Sequence, residues 1–411
     1  MIEEVNRWGV IDDQSVAESA ELIGVPLRRD QMQWNRVSTP DAIRQFAIGA
    51  GDNNPLWSDS QYAKNSHRGL QLAPPSFLYS VDATIVAPKL PGVQWIYAGT
   101  RWRWYESIKV NTMFQVQAQL LKVENKMGNR FGRWVLQTGE ITYRDSQGSI
   151  LCIAEGRVAR TPRQRRKERE KEVGKETENI SNSASQLDQH SEKLEKPSVV
   201  KPLDRFRRGS QTLLWEQVQV GDEIEKVDEF LTLGRIFSWY TGAQGALHYG
   251  GAHRDAVRYR HRHDDYEINH ATGTKDSAAR GHFSSQEGKD TGMGGTYDVG
   301  LQRIAWVIAF MTDWIGDDAH LAEIDVNVVA PNLIGDTTTI SGTVTHKWFD
   351  EHAFISVDLI GRNQRDVVTT KGSAIVALPS SQHGQVRLPI FGGDETRWTS
   401  NPMKNQTANI A

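Results

Sequence analysis

A single cysteine, Cys152, in 411 residues excludes an intramolecular disulfide framework and any site held by several thiolates. That usage fits a reducing compartment. No apolar run approaches the ~20 residues needed to cross a bilayer. The opening MIEEVNRWGV is acidic and has no apolar signal-peptide core, so the expectation is a soluble cytoplasmic protein without membrane contact. A surplus of one charge is also missing: 48 Lys+Arg against 51 Asp+Glu leave a formal net charge of −3. A generally basic nucleic-acid-binding surface is thereby excluded, because polyanion binding needs Lys and Arg in excess on one face. No Rossmann glycine fingerprint follows a strand, so no redox cofactor is expected. What the chain does have is core material: 38% hydrophobic residues and a length of about two to three ordinary domains.

Composition changes abruptly in one place. Residues 163–196 are rich in charge, contain no aromatic, and cannot bury enough surface to offset the entropy of ordering them. This reads as a disordered linker. The halves on either side look alike. The first runs from a helical stretch, TPDAIRQFAIGAGD, through a polar turn, GDNNPLWSDSQYA, and a Gly/Pro-rich approach, RGLQLAPP, to the apolar helix SFLYSVDATIVA. Long segments with period-two apolar spacing follow (KVNTMFQVQAQLLKVENK, RFGRWVLQTGEITYRD, ILCIAEGRVAR), the pattern of antiparallel strands. In the second half, TYDVGLQRIAWVIAFMTDWIGDD repeats apolar residues at three- and four-residue steps and predicts a long buried helix before four strands. Each half is thus one helix plus an antiparallel sheet, an α+β arrangement. RWRWY (Arg101 to Tyr105) reads as a strand with Trp inward and Arg outward rather than as a nucleic-acid stacking surface.

At GDNNPLWSDSQYA (Gly51 to Ala63) and RGLQLAPPSFL (Arg68 to Leu78) the chain resembles the MaoC-like dehydratase/hydratase family. More closely, it resembles the double-hotdog type with a FAS1-like dehydratase domain at the N-terminus. TYDVGLQRIAWVIAFMTDWIGDDAHL and NLIGDTTTISGTVTHKW extend the likeness into the second half. The resemblance implies a double hotdog, two antiparallel sheets each wrapped around a long central helix. Its parts would be an N-terminal hotdog at 1–160, the charged linker at 161–204, a C-terminal hotdog at 205–385 and a tail at 386–411. The implied activity is reversible addition of water across the 2,3-double bond of an acyl thioester, a 2-enoyl-CoA or 3-hydroxyacyl-CoA or the acyl-carrier-protein equivalent, with no cofactor. A homodimer or a MaoC partner subunit is the implied assembly.

That chemistry needs fixed N–H dipoles to polarise the thioester carbonyl. It also needs a carboxylate and an imidazole sharing one water. The family places an Asp and a His five residues apart with an Asn between them. Here the first half keeps Asp52, Asn54 and Pro55 but has Trp57 at the histidine position. The second half, read as GAQGALH, keeps His248 but has Ala243 and Gly245 at the other two. By this resemblance Asp52 holds or deprotonates the water, Asn54 positions it, and His248 is the contributing imidazole. Trp57 walls the pocket, while Gly69, Gly294 and Gly295 let the thioester approach the helix starts. Arg258, with Arg254, Arg260 and Arg262, suits CoA phosphates. Plainer readings stand beside these. Asp52 and Asn54 can simply cap a turn. His248 can be satisfied by backbone at a helix end. The His261, His263, Asp264 and His270 set lacks HExxH or facial-triad spacing, so no metal is expected. Two other functions remain open: a degraded hotdog that binds acyl-CoA or partners an active subunit, and a thioesterase using Asp82 or Asp298.

Overall fold

The computed structural model describes residues 9–29, 33–128, 131–162, 206–245, 257–258, 266–268, 272–273 and 275–394. The expected linker therefore lies almost wholly outside the described residues. In the first half, helices α1 (Asp13–Ala20), α2 (Pro40–Ala50), α3 (Pro55–Ser58), α4 (Ser60–Asn65) and α5 (Leu78–Val81) accompany strands β1 (Pro26–Leu27), β2 (Gln94–Trp104), β3 (Gln115–Gly128), β4 (Gly132–Arg144) and β5 (Ile150–Thr161). In the second, β6 (Glu223–Phe230), α6 (Leu233–Ser238), the small hairpin β7 (Tyr266–Ile268) and β8 (Lys275–Ser277), and α7 (Ser285–Asp290) precede α8 (Gly300–Ile315). Strands β9 (His320–Val328), β10 (Thr337–Asp350), β11 (His352–Asn363) and β12 (Val368–Leu378) complete it.

The α+β class and the helix-then-strands order agree with the sequence pattern, but two details differ. The expected pair of sheets is one ten-stranded antiparallel sheet, in the order β1-β3-β4-β5-β2-β9-β12-β11-β10-β6. The halves fuse because β2 and β9, each an edge of its own half, pair from Gly99–Asn327 to Arg103–Glu323. An unpaired edge would leave backbone N–H and C=O groups unsatisfied. Arg101 grips Glu323 with Nε and Nη2, both at 2.9 Å, and Arg157 Nη2 reaches Asp325 at 2.6 Å. Both ion pairs cross the seam.

The second difference concerns the first central helix. Helical geometry, expected across SFLYSVDATIVA, ends at Val81. Asp82 leaves it with φ −150° and ψ 128°, and its carboxylate accepts from Thr84 N at 2.9 Å and from Arg29 Nε and Nη2 at 2.7 and 2.6 Å. The following β-branched residues then lie flat on the sheet. A Cβ added at Gly156 would fall 1.9 Å from Thr84 O, and one at Gly139 would fall 2.1 Å from Val86 Cβ. Bare glycine backbone in β4 and β5 is what admits this segment.

Helix α8 forms inside the stretch expected, TYDVGLQRIAWVIAFMTDWIGDD, but is shorter at both ends, and every residue from Leu301 to Ile315 is buried. It shares one core with Phe46, Phe77, Tyr79, Trp102, Trp104 and Trp239. Trp102 and Trp104 stack inward with centroids 5.6 Å apart, while Arg101 and Arg103 pair with Glu323 and Glu155, as the RWRW alternation predicts. Helix α2 is capped by the Thr39 side chain on Ala42 N and starts with Pro40. It crosses α6 and the π-helical continuation Trp239–Gln244 at Gly49 and Gly242, backbone against backbone. Residues 386–394, expected in the tail, include Val386, Leu388, Ile390 and Phe391, which pack with Tyr105 and Phe354. Among the described residues no helix is long and apolar enough to cross a membrane, and no cluster of His, Cys, Asp and Glu could hold a metal ion.

Candidate active site at the seam of the two halves

Helix α2 ends at Gly51 in the left-handed region, φ 79°, and delivers the chain into the Asp52–Asn54 turn. Asp52 is buried; its N–H donates to Ala47 O at 2.9 Å and its Oδ1 accepts from Asn54 N at 3.2 Å. Asn54 is buried as well, and its Oδ1 accepts from Leu56 N at 3.0 Å, capping α3. Both residues therefore do the ordinary work of Asx side chains in a turn. Trp57 follows on α3, 4% exposed, with an indole Nε1 that has no hydrogen-bond partner among the described residues. Asn53 Oδ1 accepts from Arg207, which also donates from Nε to Asp313 on α8 at 3.0 Å. The turn is thus tied to the second half.

Facing it is the C-terminal end of α8. Beyond Gly316 the loop 317–319 is clamped by the first half. Arg68 donates to the carbonyls of Asp317 and Ala319, the Tyr62 hydroxyl donates to Asp317 Oδ2 at 2.6 Å, and His67 Nδ1 lies 2.7 Å from Asp318 Oδ1. His320 opens β9 with Nε2 2.9 Å from Trp104 O. A carbonyl can only accept, so Nε2 carries the proton and Nδ1 keeps a lone pair. Burial pushes the His320 imidazole down to about 3, which leaves it neutral. Asn54, Trp57, Arg68, Trp104, Asp317 and His320 line one cleft of about 50 Å³. That is room for a few waters.

The electrostatics of the cleft follow from desolvation. Burial raises the Asp317 carboxyl, and Asp318 adds to the rise, while the Tyr62 hydroxyl, Arg68 and Arg207 oppose it. Its Oδ1 has no hydrogen-bond partner among the described residues. Tyr62 is pushed up to about 12, first by burial and then by Asp317, and so remains a donor. Arg68 is lowered by burial. A carboxylate with raised proton affinity beside a neutral imidazole can hold water and exchange a proton with it.

Of the residues singled out from the sequence, Asn54 and Trp57 line this cleft, and Asp52 stands behind them in the turn. Gly69 follows Arg68 at φ 69° with open space around it. Gly294 and Gly295 lie beside Leu333, ahead of α8 by several residues. The helix itself starts at Gly300, where a Cβ would sit 2.9 Å from the Tyr97 ring. Arg258 is exposed and is not among the cleft-lining residues. His248 lies outside the described residues, as do Arg254, Arg260, Arg262, His261, His263, Asp264 and His270. The π-helical stretch of the second half, like α2, ends on a glycine of positive φ, Gly245 at 73°, three residues beyond the Gly242 that the sequence sets against Gly51. Counted from Gly51 and Gly245, Ala246 matches Asp52 and His248 matches Asn54, three residues short of the Trp57 position. Asp82 and Asp298 are held by Arg29 and Arg303 in buried pairs, which disfavours either as a free thioesterase carboxylate. Sequence reasoning missed Asp317 and His320; the only trace they leave is the polar DDAH directly after the helix-ending Gly316.

Residues 23–153 match the family described as FAS1-like, dehydratase domain region. Among solved structures, a MaoC-like dehydratase is 13% identical, covers 87% of this chain and 98% of its own, and superposes with a TM-score of 0.57. A MaoC domain protein dehydratase from Chloroflexus aurantiacus J-10-fl is 11% identical, with 87% and 94% covered and a TM-score of 0.47. A Mycobacterium tuberculosis protein described as a double hotdog is 11% identical, with 87% and 96% covered, also at 0.47. No curated protein matches the chain. The resemblance read from the sequence is borne out, by family in the first half and by fold along both.

Proposed function

We propose that this chain, which carries a FAS1-like dehydratase domain region within the fold of a MaoC-like dehydratase, is an acyl-thioester hydro-lyase. It adds water reversibly to the 2,3-double bond of a 2-enoyl-CoA, giving a 3-hydroxyacyl-CoA. The observation that carries this reading is the seam cleft. There Asn54 and Trp57, from the turn that matches the family, meet a carboxylate and a neutral imidazole from the other half. Asp52 fixes the turn, Asn54 lines the water's side of it, and His248 is a further imidazole at the matching turn of the second half. Gly69 gives close backbone approach beside Arg68, Gly294 and Gly295 border the opposite, N-terminal end of α8 rather than the reacting bond, and Arg258 meets the CoA phosphates. The division into hotdogs at 1–160 and 205–385 belongs to the same reading.

The test is turnover of a panel of trans-2-enoyl-CoAs of increasing chain length by the full chain, followed as loss of the conjugated thioester absorbance. Hydration with a clear length optimum is expected. Release of free thiol would point instead to a thioesterase. A second reading has one observation in its favour: Trp57 occupies the imidazole position of the turn and fills it with indole. On that reading the chain binds acyl-CoA for an active MaoC partner subunit. Binding across the panel without turnover would establish it in place of the first.

A further inference from the structure

We propose that the reacting water is held between Asp317 and His320, so that the second half supplies the carboxylate and imidazole that no single turn of this chain retains. This rests on the hydro-lyase reading. Three observations lead to it. Asp317 is 4% exposed, and its Oδ1 finds no hydrogen-bond partner among the described residues although Oδ2 is taken by Tyr62. His320 is committed through Nε2 to Trp104 O, leaving an acceptor at Nδ1. Both line the cleft that Asn54 and Trp57 also line. Leaving a buried acceptor unpaired costs about 1–3 kcal/mol, and the cleft of about 50 Å³ has the volume for a water that would satisfy it.

A water has two protons and here meets two acceptors. Donating one to Asp317 Oδ1 and one to His320 Nδ1, it turns a lone pair outward to the substrate. As its oxygen bonds to C3, Asp317 takes one of its protons. The electron pair of the 2,3-double bond moves to C2 and onto the thioester oxygen. Asp317 then passes the same proton to C2, and the enzyme ends as it began. The other water proton stays on the new hydroxyl, which His320 accepts from throughout. The first half's part is rigidity. Arg68 and Tyr62 fix the loop that carries the pair, and 1 Å of slack there would cost on the order of 10² in rate.

The experiment uses the full chain and the enoyl-CoA it hydrates fastest, with three variants: Asp317→Asn, Asp317→Glu and His320→Gln. Glutamine keeps a donor for Trp104 O and removes the Nδ1 acceptor. Asp317→Asn should lower kcat by roughly 10²–10⁴ with little change in KM, the usual loss when a general base is removed. His320→Gln should lower kcat at least about tenfold. Wild-type activity should rise with pH as Asp317 loses its proton, which burial and Asp318 resist and which Tyr62, Arg68 and Arg207 favour. Asp317→Asn should erase that limb, and Asp317→Glu should retain it at reduced rate. A limb that survives Asp317→Asn, or folded Asn and Gln variants within about threefold of wild type, would overturn the assignment. An inactive wild-type chain would instead overturn the hydro-lyase reading itself.

Discussion

Replacing Gly49 with alanine probes the helix crossing that aims the Asp52–Asn54 turn. An added Cβ would lie 2.6 Å from Ala243 N, 2.7 Å from Ser238 O and 2.8 Å from Gly242 C. All three are backbone atoms, so no side chain can rotate away, and α2 must part from α6 by about 1 Å to reach ordinary contact. Overpacking of this kind costs about 1–3 kcal/mol, while alanine returns up to about 1 kcal/mol of helix propensity. The clash wins, and a net loss of about 1–2 kcal/mol is expected. Gly234→Ala on α6 is the control. Its Cβ would meet nothing nearer than Thr232 Oγ1 at 3.6 Å, so a gain of about 0.5 kcal/mol is expected. Urea titration reads both as opposite shifts of the midpoint at unchanged m. Because α2 leads straight into the turn lining the cleft, Gly49→Ala should also lower kcat. Equal stabilisation by both alanines would refute the crossing and the reasoning built on it.

Four further outcomes follow from particular contacts. Tyr62→Phe removes a hydroxyl that lowers the Asp317 proton affinity, so the acid limb of the rate profile should move to higher pH; a stationary limb would count against Asp317 as the titrating group. His320 titrates at about 3 in the folded chain against an ordinary value near 6.5, so its contribution to stability is complete above that range and is lost as pH falls toward 3. His320→Gln should flatten the stability curve between those limits by about 1.4 kcal/mol per pH unit, measured by urea titration at several pH values. Arg101→Leu strips Glu323 of its bidentate partner at the seam and should cost about 2–4 kcal/mol, with Arg101→Leu/Glu323→Leu recovering most of it. Because β2 and β9 share one sheet, wild-type denaturation should be a single transition; two transitions would contradict the fusion.

How much of this was legible in the sequence depended on the range of the forces involved. Period-two alternation gave β3, β4, β5 and β9–β12, and the three- and four-residue spacing gave α8, because local burial patterns dictate both. The continuous sheet was not legible, since it depends on Arg101 meeting Glu323 and on two distant edges choosing each other. The short α5 was hidden for a similar reason: Asp82 ends the helix with help from Arg29, and glycines in two later strands make room for the extended segment. Family resemblance drew attention to Asp52, Asn54 and Trp57, and two of these line the cleft. Asp317 and His320 carry no motif. Only the folding of Arg68 and Tyr62 against the end of α8 brings them to the same place.

The most direct measurement is a crystal structure of the full chain with a non-hydratable acyl-CoA analogue bound. The seam account predicts the β-carbon of the acyl group at the mouth of the cleft beside Asn54, with an ordered water between it and Asp317 Oδ1 and His320 Nδ1. Acyl density lying wholly elsewhere, with Asp317 and His320 closed away from it, would contradict the account.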